Sequence, residues 1–451
     1  VELSLRDDLS ASSAVTSARQ QFSAANCSVD SRATLWVIGA ALIALFLKLA
    51  IAYNTIGTND AVSFYVFARS LHDHGLQWTY LRGAEWLPVS PIFNHPPLTA
   101  YYLELIATLA RTHLFQSCGF SFPFLLRFPG IIADFIVVLV LLNLSRRDAR
   151  YRMPTWALML FAYSPVSLMV SGFHGNTDSV MVMFLVLATV ACLKSRPLLC
   201  GLFLALSCQV KVIALLFLPI FFFVWLPRRE VVRFLIPFAV TSVLLCLEPL
   251  SRFPVLFVKN VLFYGSFWGG WGITYWLRLT GLPTFGRVSF MNLSAAQTIV
   301  AAILKSLIVV AVFVIAWRRR TLDVPAVATS IGYAWVIFFA LSPGGCPQYM
   351  VWLAPFALFL SPTFYVWLTA ASSLFLFFFY NITAQGLPWF LAVSRNHGNE
   401  ACSVWALWPW IAIVFGAIML WKSATALDPS LRLFSIQPLI PRASVNPDAA
   451  N

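Results

Sequence analysis

Asp60, in NTIGTNDAVSFYVFARSLHDHG, follows directly on the first long apolar run of the sequence. A carboxylate at such a membrane–water boundary can take the proton of an attacking hydroxyl, which is the work of a general base. The position also suits a helix N-cap, with Asn59 or Asp60 capping a helix over residues 61–72, and the two roles are compatible. Asp178, in SGFHGNTDSV, stands in a tight turn between two apolar runs and reads as the N-cap of a helix over 179–193. Lys211 interrupts LALSCQVKVIALLFLPI. It either snorkels to the interface or offers a compact ammonium to a lipid phosphate. His95 opens His95-Pro96-Pro97-Leu98, where the prolines suit the first positions of a helix and the histidine has no such reason. Asp134 lies inside an apolar run that Arg127 precedes, which predicts interhelical hydrogen bonding. Lys48 and Lys305, also in apolar runs, are expected to snorkel. Gln348 and Tyr349 open the run after SPGGC, where an aromatic can anchor at the interface.

The elements that must position these residues follow from composition. The 451-residue chain is 60% hydrophobic and 10% charged, far from the balance of a soluble domain. This excludes a soluble enzyme, a disordered chain and a disulfide scaffold. Long unbroken apolar runs exclude a β-barrel, whose strands alternate. The chain is therefore read as an all-α polytopic membrane protein with about twelve crossings. They fall near 34–53, 124–144, 154–171, 177–193, 197–210, 213–226, 232–250, 295–316, 325–342, 348–361, 363–380 and 405–422. Cys192, Cys200, Cys208 and Cys246 lie in or beside these runs and read as small packing residues. The net charge of +13 does not indicate nucleic-acid binding, because the basic residues cluster between apolar runs, where orientation signals belong.

Residues 96–111 decide the topology. They are apolar but short, with Glu104 in the middle, and a helix of that length does not span a core of about 30 Å. Laid at the interface, they leave the clusters around Arg147, Arg196, Arg229 and Arg319 on one side with the N-terminus, as the positive-inside rule requires. Both termini are then cytoplasmic, with tails over 1–33 and 423–451. The long loops 54–123, 251–294 and 381–404 are external, and the first holds juxtamembrane helices. All six histidines (His72, His74, His95, His113, His174, His397) then fall on the external side. The Val at position 1 points to a non-Met start or a trimmed chain and hence to a bacterium.

Taken in order, these residues resemble the GT-C superfamily of polytopic glycosyltransferases, which includes protein O-mannosyltransferases, lipid A aminoarabinose transferases and bacterial mannosyltransferases. The resemblance runs over about 34–361. It takes in Asp60, Phe64/Tyr65, Ala68-Arg69 and Gly75, then Asn94 to Leu98, Arg127 with Pro129, and Ser164-Pro165. It continues through the HGNTD turn ending at Asp178, Lys211 with Pro219, Tyr264 to Ile273, Ser342-Pro343 and Gln348-Tyr349. It implies transfer of a sugar, mannose first among candidates, from a polyprenyl-phosphate donor to a lipid, glycan or protein acceptor outside the cytoplasm, with inversion. It implies Asp60 as catalytic base, and Lys211, Arg127 and Arg69 as ligands of the donor's lipid phosphate. His95, His174, Asp178, Gln348 and Tyr349 become substrate-binding candidates. Residues 34–250 become a catalytic module and 251–422 a variable one, in a bacterial inner membrane.

Two departures matter. Many relatives carry a second acid beside the first, whereas Ala61 and Val62 follow Asp60 here, so no cofactor is assigned and a divalent metal stays an open alternative. HPPL is followed by Thr99, Ala100 and Tyr101, without the lysine of some members. The aromatic stretch 263–276 either covers the site or anchors at the interface. The rival readings are a transporter or flippase, which would show two related halves, and an inactive family member acting as a scaffold.

Overall fold

The structure is a computed structural model that describes residues 31–83, 92–263, 267–286, 288–290, 293–320, 326–384 and 399–427. Most of the two expected cytoplasmic tails, Tyr264, and the loop stretch with Arg395 and His397 lie outside the described residues.

The first apolar run forms α1 (Ser31–Asn54), long enough to cross a membrane. Val37, Ala41, Ala44, Lys48 and Ala52 make its buried stripe, and Leu35, Trp36, Ile43 and Phe46 on other faces are exposed. That distribution suits a helix with lipid on its outer side. The 54–123 region then folds as α2 (Asn59–Arg82), α3 (Pro97–Arg111) and the short α4 (His113–Ser117). α2 runs past the expected residue 72 because it is two helical pieces joined at Gly75, whose φ of 82° only glycine adopts easily. With neighbouring segments these helices bury a separate core of Phe64, Phe67, Tyr80, Phe93, Leu103, Phe122 and Phe257. α5 (Phe122–Arg147) begins on Ser121, whose hydroxyl accepts from the Phe124 amide, with Pro123 in the first turn.

Among the described residues, five helices are long and apolar enough to cross a membrane: α1, α5, Thr155–His174, Ala295–Arg318 and Pro362–Thr383. Shorter apolar helices occupy the remaining runs. Their inner faces form the larger core, around Leu141, Leu185, Phe217, Phe221, Trp335 and Phe356. Cys192, Cys200, Cys208 and Cys246 are buried and free, as packing residues should be. The chain is a bundle of helices with one two-residue antiparallel pair, Phe267–Trp268 with Ser289–Phe290.

Among the described residues, three of the apolar segments are not simple α-helices. Thr155–Ala162 stops before Ser164-Pro165, and the chain resumes as the π-helical turn Leu168–His174. Val212–Phe217 and Pro347–Val351 are 3-10 segments leading into α-helices. Proline explains part of each break, since it lacks the amide hydrogen an α-helix needs. Non-α backbone within a membrane is tolerated where protein or a wet cavity surrounds it, and Leu168–His174 and Pro347–Val351 pack against each other.

Two expectations change. Lys48 does not snorkel. It is 4% exposed, with Nζ 2.7 Å from Asp134 Oδ2 and a further bond to Ser167, because a buried carboxylate lies nearer than water. Asp134 also accepts from Ser167 at 2.6 Å and from Ser171, the interhelical bonding expected of it. The aromatic stretch divides: Trp268 and Trp271 are fully buried, with Trp271 donating to the Phe339 carbonyl at 2.8 Å, whereas Phe263 and Trp276 are exposed.

Candidate functional site

The first half of the site is built from backbone. Gly57, at φ 96°, turns the chain after α1, and a Cβ there would meet the Phe173 carbonyl oxygen at 2.8 Å. Thr58 is thereby laid against the end of the π-helical turn, and its amide and hydroxyl both donate to the His174 carbonyl, at 3.2 and 2.7 Å. Thr58, not Asn59 or Asp60, is the N-cap of α2, and its hydroxyl accepts from the Asp60 amide. The Asp60 carboxylate is thus left free for other work. Gly175, at φ 85°, ends the π-helical turn where a Cβ would lie 3.1 Å from Ala61.

Around Asp60 three donors converge on one oxygen. Oδ2 receives Asn176 Nδ2 at 2.6 Å, His174 Nε2 at 3.1 Å and Gln348 Nε2 at 3.3 Å. Behind His174, Nδ1 lies 2.8 Å from the Tyr380 hydroxyl. Protein encloses the carboxylate, yet its side chain keeps 37% exposure, so the pocket opens outward. Burial raises its pKa, but the contact with His174, the Lys211 charge and the Asn176 hydrogen bond outweigh this and hold it below the usual carboxylate range. Asp60 is therefore an ionised acceptor at neutral pH.

The second half pairs charges. Lys211 Nζ donates to both oxygens of the fully buried Asp178, each at 2.9 Å, and Trp352 Nε1 donates to Asp178 Oδ1. The ammonium also lies 5.5 Å from the Tyr349 ring and 5.7 Å from Trp352, which stack with centroids 3.9 Å apart. The expected N-cap role of Asp178 moves to Thr177, and Asp178 is the counter-ion of Lys211. Lys211 does not snorkel either: its side chain is 12% exposed. Two of its three hydrogens go to Asp178, which leaves one for a ligand.

Arg127 and Arg69 stand apart from this arrangement. Arg127 is 1% exposed and donates to the Pro123, Ala52, Thr55, Gly172 and Phe173 carbonyls and to the Thr55 hydroxyl. A guanidinium has five N–H hydrogens, so none remains for phosphate, and Arg127 clamps α1, α5 and the π-helical turn together. Arg69 is exposed and lies nine residues after Asp60 on α2, on the opposite face at 100° per residue. His95 does reach the site's edge. Its ring packs on Phe64 at 5.1 Å, Tyr80 donates to its carbonyl, and its ring bonds the Val210 backbone beside Lys211. Burial, then the Lys211 charge, push its pKa down to about 3, so the ring is neutral.

The structure thus brings Asp60, His174 and Gln348 together, sets Asp178, Lys211 and Tyr349 beside them, and puts His95 at the rim. Tyr380, Trp352 and Asn176 join them unanticipated. Asn176 was visible inside HGNTD, whereas Tyr380 reads as the end of an apolar crossing. Among the described residues no group of three or more His, Cys, Asp or Glu has the arrangement of a metal site.

The HPPL segment, Arg127, the HGNTD turn and Lys211 all fall within one stretch of chain that has known counterparts. Residues 94–227 match the N-terminal domain of the alpha-(1->6)-mannopyranosyltransferases. The match fits the GT-C resemblance and supports glycosyltransferase chemistry in an integral membrane protein. Asp60, Gln348 and Tyr380 lie outside the mannopyranosyltransferase-like stretch, so the site draws on chain beyond it. No curated protein matches the chain.

Proposed function

We propose that the protein is an inverting mannosyltransferase that uses a polyprenyl-phosphate donor at the outer face of the membrane. In this reading about twelve helices cross, both termini are cytoplasmic, and the site faces outward. The observation that carries it is Asp60: an ionised carboxylate, open to solvent on one side, with a cation, Lys211, on the same end of the bundle. The acceptor hydroxyl loses its proton to Asp60 as its oxygen bonds the sugar C1. The C1–O bond to phosphate breaks, and its electron pair leaves with the lipid phosphate. The remaining hydrogen of Lys211 serves that phosphate as its charge grows. Arg127 has no part in this step, and Arg69 lies on the far face of α2.

The alpha-(1->6) linkage of the mannopyranosyltransferases that residues 94–227 resemble supports the C6 hydroxyl of a sugar as acceptor. Inversion to an α product requires a β-linked donor. Purified protein given β-mannosyl polyprenyl phosphate and a short mannoside should release polyprenyl phosphate and lengthen the glycan, and the α-linked donor should be inert. Asp60→Asn should keep its melting temperature and lose at least ~100-fold in turnover. No transfer from either donor would overturn the reading, and near-normal turnover in Asp60→Asn would remove Asp60 as base.

A further inference from the structure

The two oxygens of Asp60 have unlike surroundings. Oδ2 takes all three donors described above, and among the described residues Oδ1 takes none. A carboxylate only accepts, so His174 Nε2 carries the hydrogen of that contact. In the neutral ring Nδ1 is then an acceptor, which the Tyr380 hydroxyl satisfies. Tyr380 thus fixes both the tautomer and the tilt of the imidazole. Asn176, by contrast, is fixed only within its own turn, by the Thr177 amide.

We propose that His174, held by Tyr380, is the positioning residue of the base: it pins Oδ2 and presents Oδ1 to the acceptor hydroxyl. The assignment rests on the reading of Asp60 as general base. His174 keeps its hydrogen throughout. The hydroxyl proton goes to Oδ1, the oxygen's electron pair forms the bond to C1, and the phosphate leaves with the pair of the broken bond. A base must lie within hydrogen-bond reach of the proton it takes, and free rotation of the carboxylate would lose that alignment.

The test uses full-length wild type, Asp60→Asn, His174→Ala, His174→Gln and Tyr380→Phe, with donor kinetics and melting temperatures in detergent. A misplaced base costs on the order of 100-fold, so His174→Ala should lose about that in kcat with KM for the donor little changed. His174→Gln places an amide N–H near Nε2 and should recover most of the loss. Tyr380→Phe should lower kcat about 3- to 10-fold, since the ring then samples both tautomers. Wild-type kinetics in His174→Ala, or losses in kcat that follow melting temperature with no recovery in His174→Gln, overturn the assignment. If Asp60→Asn is inactive in the same series, the base reading stands without it. If wild type itself transfers no sugar, both fall.

Discussion

At the scale of single residues, the Lys211–Asp178 pair makes opposite demands on one side chain. Removing one partner of a buried ion pair strands the other, so Lys211→Ala should cost about 3–5 kcal/mol of stability, read as a fall in melting temperature. Lys211→Met combined with Asp178→Leu should recover most of that stability, because a hydrophobic pair of similar size avoids the desolvation cost. If Lys211 also holds the donor phosphate, this double variant will fold and still show a raised KM for donor. A normal KM would make Lys211 purely structural. His95 gives a pH signature with a defined sign. Its pKa falls from 6.5 to about 3 on folding, so between those values the unfolded chain binds the proton and the folded one does not. Stability should drop as pH falls from about 6.5, and His95→Asn should flatten the melting temperature over that range. Much of this was legible in the sequence. Asp60, His174, Asp178 and Lys211 are polar groups in an apolar background, and such groups need reasons. Tyr380 and Trp352 were not legible, because a phenol or indole at the end of an apolar run looks the same whether it meets lipid headgroups or a histidine.

At the scale of elements, the informative segments are those that fail to be α-helices. The apolar pattern gave the position of each apolar helix, because a helix that packs in a membrane or a core needs an apolar run. It could not reveal that Leu168–His174 is π-helical or that Pro347–Val351 is 3-10, since those choices depend on what the backbone meets in three dimensions. The wider π turn carries the His174 carbonyl to Thr58 and its imidazole to Asp60. Close helix contact also depends on one residue. A Cβ on Gly201 would stand 2.0 Å from the Phe234 carbonyl oxygen, so Pro197–Val210 and Val231–Leu245 touch backbone to backbone there. Gly201→Ala should force the two helices apart and cost about 1–3 kcal/mol, seen as a lower melting temperature with Asp60 chemistry intact. An unchanged melting temperature would mean that the contact is looser than the structure has it.

At the scale of the whole molecule, the expected topology sets α2, α3 and α4 outside and the basic clusters inside. Cys118, exposed in the first loop, offers a native probe. With Cys27 and Cys402 replaced by serine, an impermeant thiol reagent added to intact cells should label Cys118. An added Arg147→Cys or Arg228→Cys should be labelled only after the membrane is opened. Labelling of the latter two in intact cells would turn the bundle over. The site also joins distant stretches of chain: Asp60 precedes Tyr380 by most of the protein, and Gln348 comes between His174 and Tyr380. The order of synthesis then has a consequence. In the expected topology Asp60 is threaded to the outer face early, beside Arg127 and the π-helical turn, but its imidazole partner stays unbraced until the helix Pro362–Thr383 has left the ribosome and entered the membrane. A chain halted after residue 361 would hold the acid, the cation and the histidine and lack Tyr380, so under the proposed function a half-made copy would be slow to turn over its donor.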